Sequence, residues 1–134
     1  MPPSLTEAAS YFAPLITELL DKCDAAGVSC RIVDIGRSMA EQQVKISTGV
    51  SWTQNSKHLP QPPEMLAEAV DIVPLVILDE NKPDWDPGNE AWQVIGRVGK
   101  ELGLRWGGDW QKHPDPSHFE YVHPAIVTDP DIET

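Results

Sequence analysis

Four side chains of this sequence could together run a metal-assisted hydrolysis: His58, Asp71, Asp115 and His118. Asp71 interrupts the apolar run AVDIV, between Val70 and Ile72. A carboxylate there is expensive to bury unpaired, so it needs a cation or hydrogen bonds. His118 opens HFEYVH, and Asp115 stands three residues before it in WGGDWQKHPDPSHF. His58 lies upstream in NSKHLP. Two neutral imidazoles and one carboxylate, with a fourth position left to water, are the donor set of a catalytic zinc. Zinc lowers the pKa of its bound water to about 7. Asp115 would accept a proton from that water and pass it to a leaving amine. A neighbouring cation favours the ionised carboxylate that this task needs. Arg37 is the candidate to hold a carbonyl oxygen as it gains negative charge.

Each of these residues also has a plainer reading. His58 in a polar loop could be a surface histidine, and His118 a structural one at a strand start. Asp71 could pair with Arg31 or Arg97, Asp115 before Pro116 could be a turn residue, and Arg37 could form a surface ion pair. Asp109, between Gly108 and Trp110, reads as a turn residue or a partner behind the ligands. His113 sits in a proline-flanked loop. His123 lies an odd number of residues after His118, which puts it on the other side of a strand. Trp106 and Trp110 could wall a cleft or pack in the core.

The elements that must position these groups can be read from the pattern. Ser4 and Glu7 form an S-x-x-E capping box, followed by apolar residues at helical spacing from Leu5 to Leu20. Pro14 divides a short first helix from a second, and Gly27 ends the run. VSCRIVDIG reads as a strand. Ser38 and Glu41 open a helix to about Ser47. Residues 49–64 are polar and proline-rich, and read as a loop. A strand covers roughly Ala69 to Pro74, with a short piece after it. PDWDPGNE reads as a loop, and Asn89 to Leu102 as a helix with Trp92, Ile95, Val98 and Leu102 on one face. LRWGG is a short strand or turn, and HFEYVH a final strand. This order favours an α+β domain with a small central antiparallel sheet and flanking helices.

Composition sets outer limits. The chain has 134 residues and a formal net charge of −11, which argues against general nucleic-acid binding. The length fits one domain, residues 1–134, with an acidic tail from about residue 124. Cys23 and Cys30 are too few for a disulfide scaffold and read as free thiols. The amino-terminal segment lacks a signal-peptide pattern, and no run of 18 apolar residues appears, so membrane insertion is not expected. The acidic DENKPDWDPGNE does not fit EF-hand spacing and reads as a solvated loop. No GxSxG, Cys–His pair or glycine-rich phosphate loop appears.

Taken in order, GRSMAEQ, SKH, AVDI, WGGDW and DPSHFE resemble the M15 metallopeptidases, which include D-alanyl-D-alanine carboxypeptidases, dipeptidases and phage L-alanyl-D-glutamate endopeptidases. The D-x-x-H form with WGGDW is most similar to the phage endolysin branch. The resemblance spans about Ile35 to Tyr121. It implies an α+β fold of the Hedgehog/DD-peptidase kind, zinc held by His58, Asp71 and His118, Asp115 as the base, Arg37 at the substrate carbonyl and Ser56 near the substrate. One departure stands out. The family pattern HxxGxAxD separates its histidine and aspartate by seven residues, whereas His58 and Asp71 are thirteen apart (71 − 58) and the family glycine is missing. The difference reads as a six-residue loop insertion beside the cleft. Doubling a loop costs only about 0.6 kcal/mol of closure entropy, so metal binding need not suffer.

The reading that follows is a monomeric zinc peptidase acting on peptidoglycan stem peptides, first as an L-Ala-D-Glu endopeptidase. It would be made in the cytoplasm and act on the wall after release, or ride on a virion. The rivals are a D-Ala-D-Ala carboxypeptidase or dipeptidase, and a zinc-stabilised phage structural or wall-binding module without turnover.

Overall fold

The computed structural model describes residues 3–48 and 56–123. The expected acidic tail from residue 124 lies outside them. The strands are β1 (Cys30–Asp34), β2 (Ala69–Val76), β3 (Asp79–Pro83), β4 (Arg105–Trp106) and β5 (His118–Glu120), and the helices are α1 (Ala13–Ala25), α2 (Met39–Ser47) and α3 (Ala91–Glu101). The sheet runs β1-β2-β5-β4, with β3 also paired to β2, and every pairing is antiparallel. This is the α+β arrangement with a small central antiparallel sheet expected from the sequence.

The amino-terminal apolar pattern divides as Pro14 implies. Ser4 and Glu7 do form a capping box, but it closes only a 3-10 turn over Leu5–Glu7. The true helix, α1, starts at Ala13 with Pro14 in its first turn, where a missing N–H costs nothing. Ile16, Leu19 and Cys23 then face the core at i, i+3 and i+7. Ser38 and Glu41 form the second box at the start of α2, as read.

Core packing fixes the strand that carries His118. Phe12, Ile16, Leu19, Ile35, Val70, Ile72, Ile95 and Phe119 have no exposed surface. Helix α3 lies close against β5 because residue 99 is glycine: a Cβ there would sit 2.3 Å from the Phe119 ring. Phe119 points into the core, so its neighbours His118 and Glu120 share the other face of β5.

Several boundaries differ from the sequence reading, each for a backbone reason. Strand β1 stops at Asp34 instead of Gly36, because residues 35–37 leave the sheet to bond to the His58 loop. Strand β2 continues through Pro74 to Val76. The proline carbonyl accepts from Asp84 N–H, and Leu75 N–H bonds to Ser29 carbonyl. Half of the acidic segment taken for a solvated loop is strand β3, paired at the β2 edge in a hairpin. Its tip exposes Ile77 and Leu78. Strand β5 is shorter than HFEYVH and ends at Glu120.

The inserted segment is folded rather than loose. Gln61 and Leu66 form an antiparallel bridge, and Ala67 pairs in parallel with Ala8. Glu64 accepts hydrogen bonds from Ser10 N–H and hydroxyl. The insertion is thus fastened to the amino-terminal segment. Residues 49–55 of the expected loop lie outside the described part.

Candidate metal centre

The pairing of β2 with β5 sets Asp71 directly across from His118. Cross-strand partners project to the same side of a sheet, so their side chains meet. His118 Nδ1 is 3.2 Å from Asp71 Oδ1, and His58 Nε2 is 3.1 Å from the same oxygen. One donor atom from each of the three residues lies within 4.8 Å of the others. Both imidazoles are buried, at 1% and 3% exposure for His58 and His118.

His58 belongs to no regular element, so hydrogen bonds must aim it. Its Nδ1 lies 2.6 Å from Ile35 carbonyl. Its backbone N–H donates to Ser56 Oγ, and its carbonyl accepts Arg37 N–H at 2.8 Å. Residues 35–37 therefore clasp His58 at two points. Because Nδ1 must donate to a carbonyl, the neutral ring presents a bare lone pair at Nε2. His118 is fixed in the mirror sense. Its Nε2 lies 2.8 Å from Glu120 Oε1, which accepts the Nε2–H and so leaves the Nδ1 lone pair facing Asp71.

With both rings neutral, three acceptors converge with no donor among them, and such a cluster requires a cation. The donor set suits a divalent metal of borderline softness. A tetrahedral ion with bonds of about 2.0–2.1 Å has donor–donor edges of about 3.3 Å, close to the two separations seen here. In the metal-free chain a proton fills the same need. Burial opposes charge on His118, but its hydrogen bonds to Asp71 and Glu120 prevail and raise its pKa to about 10. Burial likewise opposes ionisation of Asp71, yet His58 and His118 hold its carboxyl well below the ordinary value.

Arg37 is buried and lies on the same side. Its Nε is 2.6 Å from Asp34 Oδ2 and its Nη2 is 3.4 Å from Asp71 Oδ2. A bulge in β1 makes this possible. Ile32 pairs with Ile72, but Asp34 pairs with Asp71, which turns Asp34 onto the Asp71 side. The guanidinium lies between two carboxylates and fixes both.

Asp115 reaches the site through the WGGDW segment. Its backbone N–H donates to Gly107 carbonyl, and its carbonyl accepts from His118 N–H. Residue 107 is glycine because a Cβ there would lie 2.4 Å from Asp115 carbonyl oxygen and 3.1 Å from His118 Cβ. The glycine lets the Asp115–His118 turn press against the 3-10 turn at Gly107–Asp109. Asp115 Oδ1 accepts from Ser117 hydroxyl. Burial, and then the charge of Asp71, push its carboxyl above the ordinary pKa, while His118 pulls the other way. Trp110 closes the wall, with its ring 5.0 Å from that of His118. Trp106 packs instead in the core against Phe119, and its Nε1 donates to Pro116 carbonyl.

Comparison with known proteins places this arrangement. The peptidase M15 family model described as D-alanyl-D-alanine carboxypeptidase matches residues 50–121, more than half of the chain. The chain belongs to that family. The L-alanyl-D-glutamate peptidase of Listeria phage A118 is 26% identical over 114 residues, which are 84% of this chain and 37% of the relative. This M15 chain thus spans little more than a third of that protein. The fold is that of the L-Ala D-Glu endopeptidase ChiX of Serratia marcescens, with a TM-score of 0.61 at 24% identity, covering 88% of this chain and 83% of that one. The vancomycin-resistance D,D-dipeptidase VanXYg, solved with a D-Ala-D-Ala phosphinate analogue, matches with a TM-score of 0.52 at 18% identity, over 88% of this chain and 51% of that one.

The structure of this M15 chain decides several of the plainer readings. Asp71 does not pair with Arg31 or Arg97: the first donates to Asn81 carbonyl, and the second lies beside Glu101 on α3. Arg37 is in an ion pair, but a buried one. Asp109 pairs with Lys100 at 3.0 Å and is not part of the His58–Asp71–His118 cluster. His123 turns to Glu68; it lies beyond the end of β5, so strand parity does not decide its direction. Ser56 is buried, with its hydroxyl engaged by His58 N–H. Cys23 and Cys30 are both free thiols. Among the described residues, no helix is long and apolar enough to cross a membrane. Three positioning carboxylates were not read from the sequence, Asp34 against Arg37 being one. Glu120 had a legible signal, since it shares strand parity with His118. Glu7, which accepts from Gly36 N–H at 3.0 Å, carries no sequence signal for that contact.

Proposed function

We propose that this protein is a zinc-dependent peptidase that cleaves peptidoglycan stem peptides between L-Ala and D-Glu. The observation that carries the reading is the meeting of His58 Nε2, Asp71 Oδ1 and His118 Nδ1 in one buried cluster, with Asp115 on the adjoining turn. The L-alanyl-D-glutamate peptidase of the Listeria phage supports the choice of bond.

His58, Asp71 and His118 would hold the metal. When bound, zinc supplies a Lewis acid and a water acidified to a pKa of about 7. Asp115 takes a proton from the attacking water and delivers it to the leaving nitrogen. The carbon–nitrogen bond of the amide breaks, a carbon–oxygen bond forms, and the products are an alanine carboxyl and a free glutamate amine. Arg37 offers positive charge to the carbonyl oxygen as negative charge develops on it. Ser56 holds the His58 backbone in place. Ile35 carbonyl and Glu120 keep the ligand tautomers correct throughout.

The insertion shapes one flank of this site. A cavity of about 350 Å³ lies beside Arg37 and His58, and its far wall is formed by Pro60, Met65 and Leu66. The insertion therefore bears on which peptides fit, not on whether the metal is held. The setting that follows is a protein acting on the cell wall after release from the cell that makes it, or from a virion.

Purified muropeptides of defined sequence test the proposal. Metal-loaded protein should release products cut between L-Ala and D-Glu, identified by mass, and chelation should abolish the release. Cleavage between terminal D-Ala residues would replace the reading with a carboxypeptidase or dipeptidase. Metal-loaded protein that binds zinc and cuts none of these bonds would leave a non-catalytic module.

A further inference from the structure

The turn that carries Asp115 also borders a second cavity, on the flank away from the insertion. It has a volume of about 240 Å³ and is lined by Trp85, Pro87, Trp92, Asp115, Pro116 and Ser117. The two indoles lie 6.0 Å apart with 35° between their planes. Trp92 is buried, whereas Trp85 is 55% exposed. One exposed indole would need no explanation, but here it is paired with a second indole at the mouth of a cavity that Asp115 borders, which is the make-up of a ligand pocket.

The loop holding Trp85 is tied down by hydrogen bonds. Asp84 N–H is bonded to Pro74 carbonyl, and Asp84 accepts from Asp86 N–H and from the Asn89 amide. Asp86 accepts from Gly88 N–H, and its carbonyl accepts Trp92 Nε1 at 2.9 Å. The acidic segment that read as mere solvated loop therefore builds a fixed platform. A fixed platform binds with less ordering cost than a loop that must first find its shape.

We infer that Trp85, Trp92 and Pro87 form a subsite for a pyranose ring, namely the sugar to which the stem peptide is joined. The inference rests on the proposed peptidoglycan activity. A sugar presents an apolar C–H face that packs on the electron-rich face of an indole, and a rim of hydroxyls that meets water and polar edges. The lining favours the same end of the substrate: apart from Asp115 and Ser117 at its edge it is built of indole and proline faces and carries no cation that would draw the glutamate carboxylate. The sugar side of the L-Ala residue is neutral. The scissile bond lies one residue from the sugar, so a ring stacked at Trp85 and an amide beside Asp115 are compatible neighbours.

Two measurements test this. First, kcat/KM is compared for a disaccharide–tripeptide and for the same tripeptide without sugar. The native protein should prefer the glycan-bearing substrate by roughly fivefold to tenfold, the scale of one aromatic stacking contact. In Trp85→Ala that ratio should fall towards one, and Trp85→Phe should recover part of it. A native ratio of one, or a ratio that Trp85→Ala leaves unchanged, overturns the subsite. Second, the disaccharide alone is titrated into native protein while the indole N–H resonances are followed. Displacement of the Trp85 signal, lost in Trp85→Ala, upholds the subsite even if no peptide bond is cut, in which case the proposed activity fails alone. A Trp85 signal that stays fixed at millimolar disaccharide overturns it.

Discussion

Glu120 Oε1 lies 2.8 Å from His118 Nε2, the ring nitrogen that faces away from Asp71. Behind it, Arg105 is the cross-strand partner of Glu120, with its Nη1 3.8 Å from Glu120 Oε2. Trp110 spans this array: its ring is 5.0 Å from the ring of His118 and 5.3 Å from the Arg105 guanidinium carbon. One histidine of the cluster is thus held by a carboxylate, the carboxylate by a cation, and the cation by an indole. Partners behind metal ligands set ring orientation and basicity.

Glu120→Gln keeps an acceptor oxygen but removes the charge. Zinc affinity, measured by competition with a chromophoric chelator, should fall roughly tenfold, and about a hundredfold in Glu120→Ala. Circular dichroism of Glu120→Gln should match the native protein. Unaltered affinity in both variants would mean that His118 is oriented by its strand alone.

Asp115→Asn should separate turnover from metal binding. The amide oxygen can still accept from Ser117, so the turn should survive, but the side chain no longer takes up a proton. Peptide cleavage is expected to drop by about 10²–10⁴, with the zinc content unchanged. Retained activity would remove Asp115 from the mechanism.

How much of this was legible depends on what kind of information each part needs. Asp71 was readable because a lone carboxylate in AVDIV has no cheap explanation. His118 and Asp115 were readable because local spacing alone joins them. The pairing of Asp71 with His118 was not, because strand register is a property of two distant segments. The bulge that swings Asp34 towards Asp71 is equally invisible, and so is the contact of Glu7 with Gly36. Strand β3 was missed for a different reason. Its polar composition argues for a loop, whereas a free β2 edge and a two-residue turn argue for a hairpin, and the edge prevails.

Gly107→Ala probes the close approach beneath the site. The new methyl would lie 2.4 Å from Asp115 carbonyl oxygen, which is backbone and cannot swing aside. The turn must shift, and it carries both Asp115 and His118. A stability loss of about 1–3 kcal/mol is expected in chemical denaturation, together with weaker zinc binding. A variant with native stability and affinity would show that the turn moves freely.

The chelated protein should show a pH response opposite in sign to that of metal binding. His118 has a folded pKa of about 10 against an ordinary value of 6.5, so its contribution to stability is complete below about pH 6.5 and is lost as pH rises towards 10. Asp71 is held below its ordinary 3.8, so its contribution is present above that value and is lost as pH falls through the lower folded pKa. From this pair, metal-free protein is most stable between about pH 4 and 6.5 and weakens through the alkaline range. Zinc needs the neutral imidazole, so its affinity rises over the same range in which the proton leaves. The gap in Tm between zinc-loaded and chelated protein should therefore widen from pH 6 to pH 9. Calorimetry at four or five pH values checks this. A chelated protein that grows more stable between pH 6.5 and 9 would show that His118 is uncharged in the fold, and that the proton does not stand in for the metal.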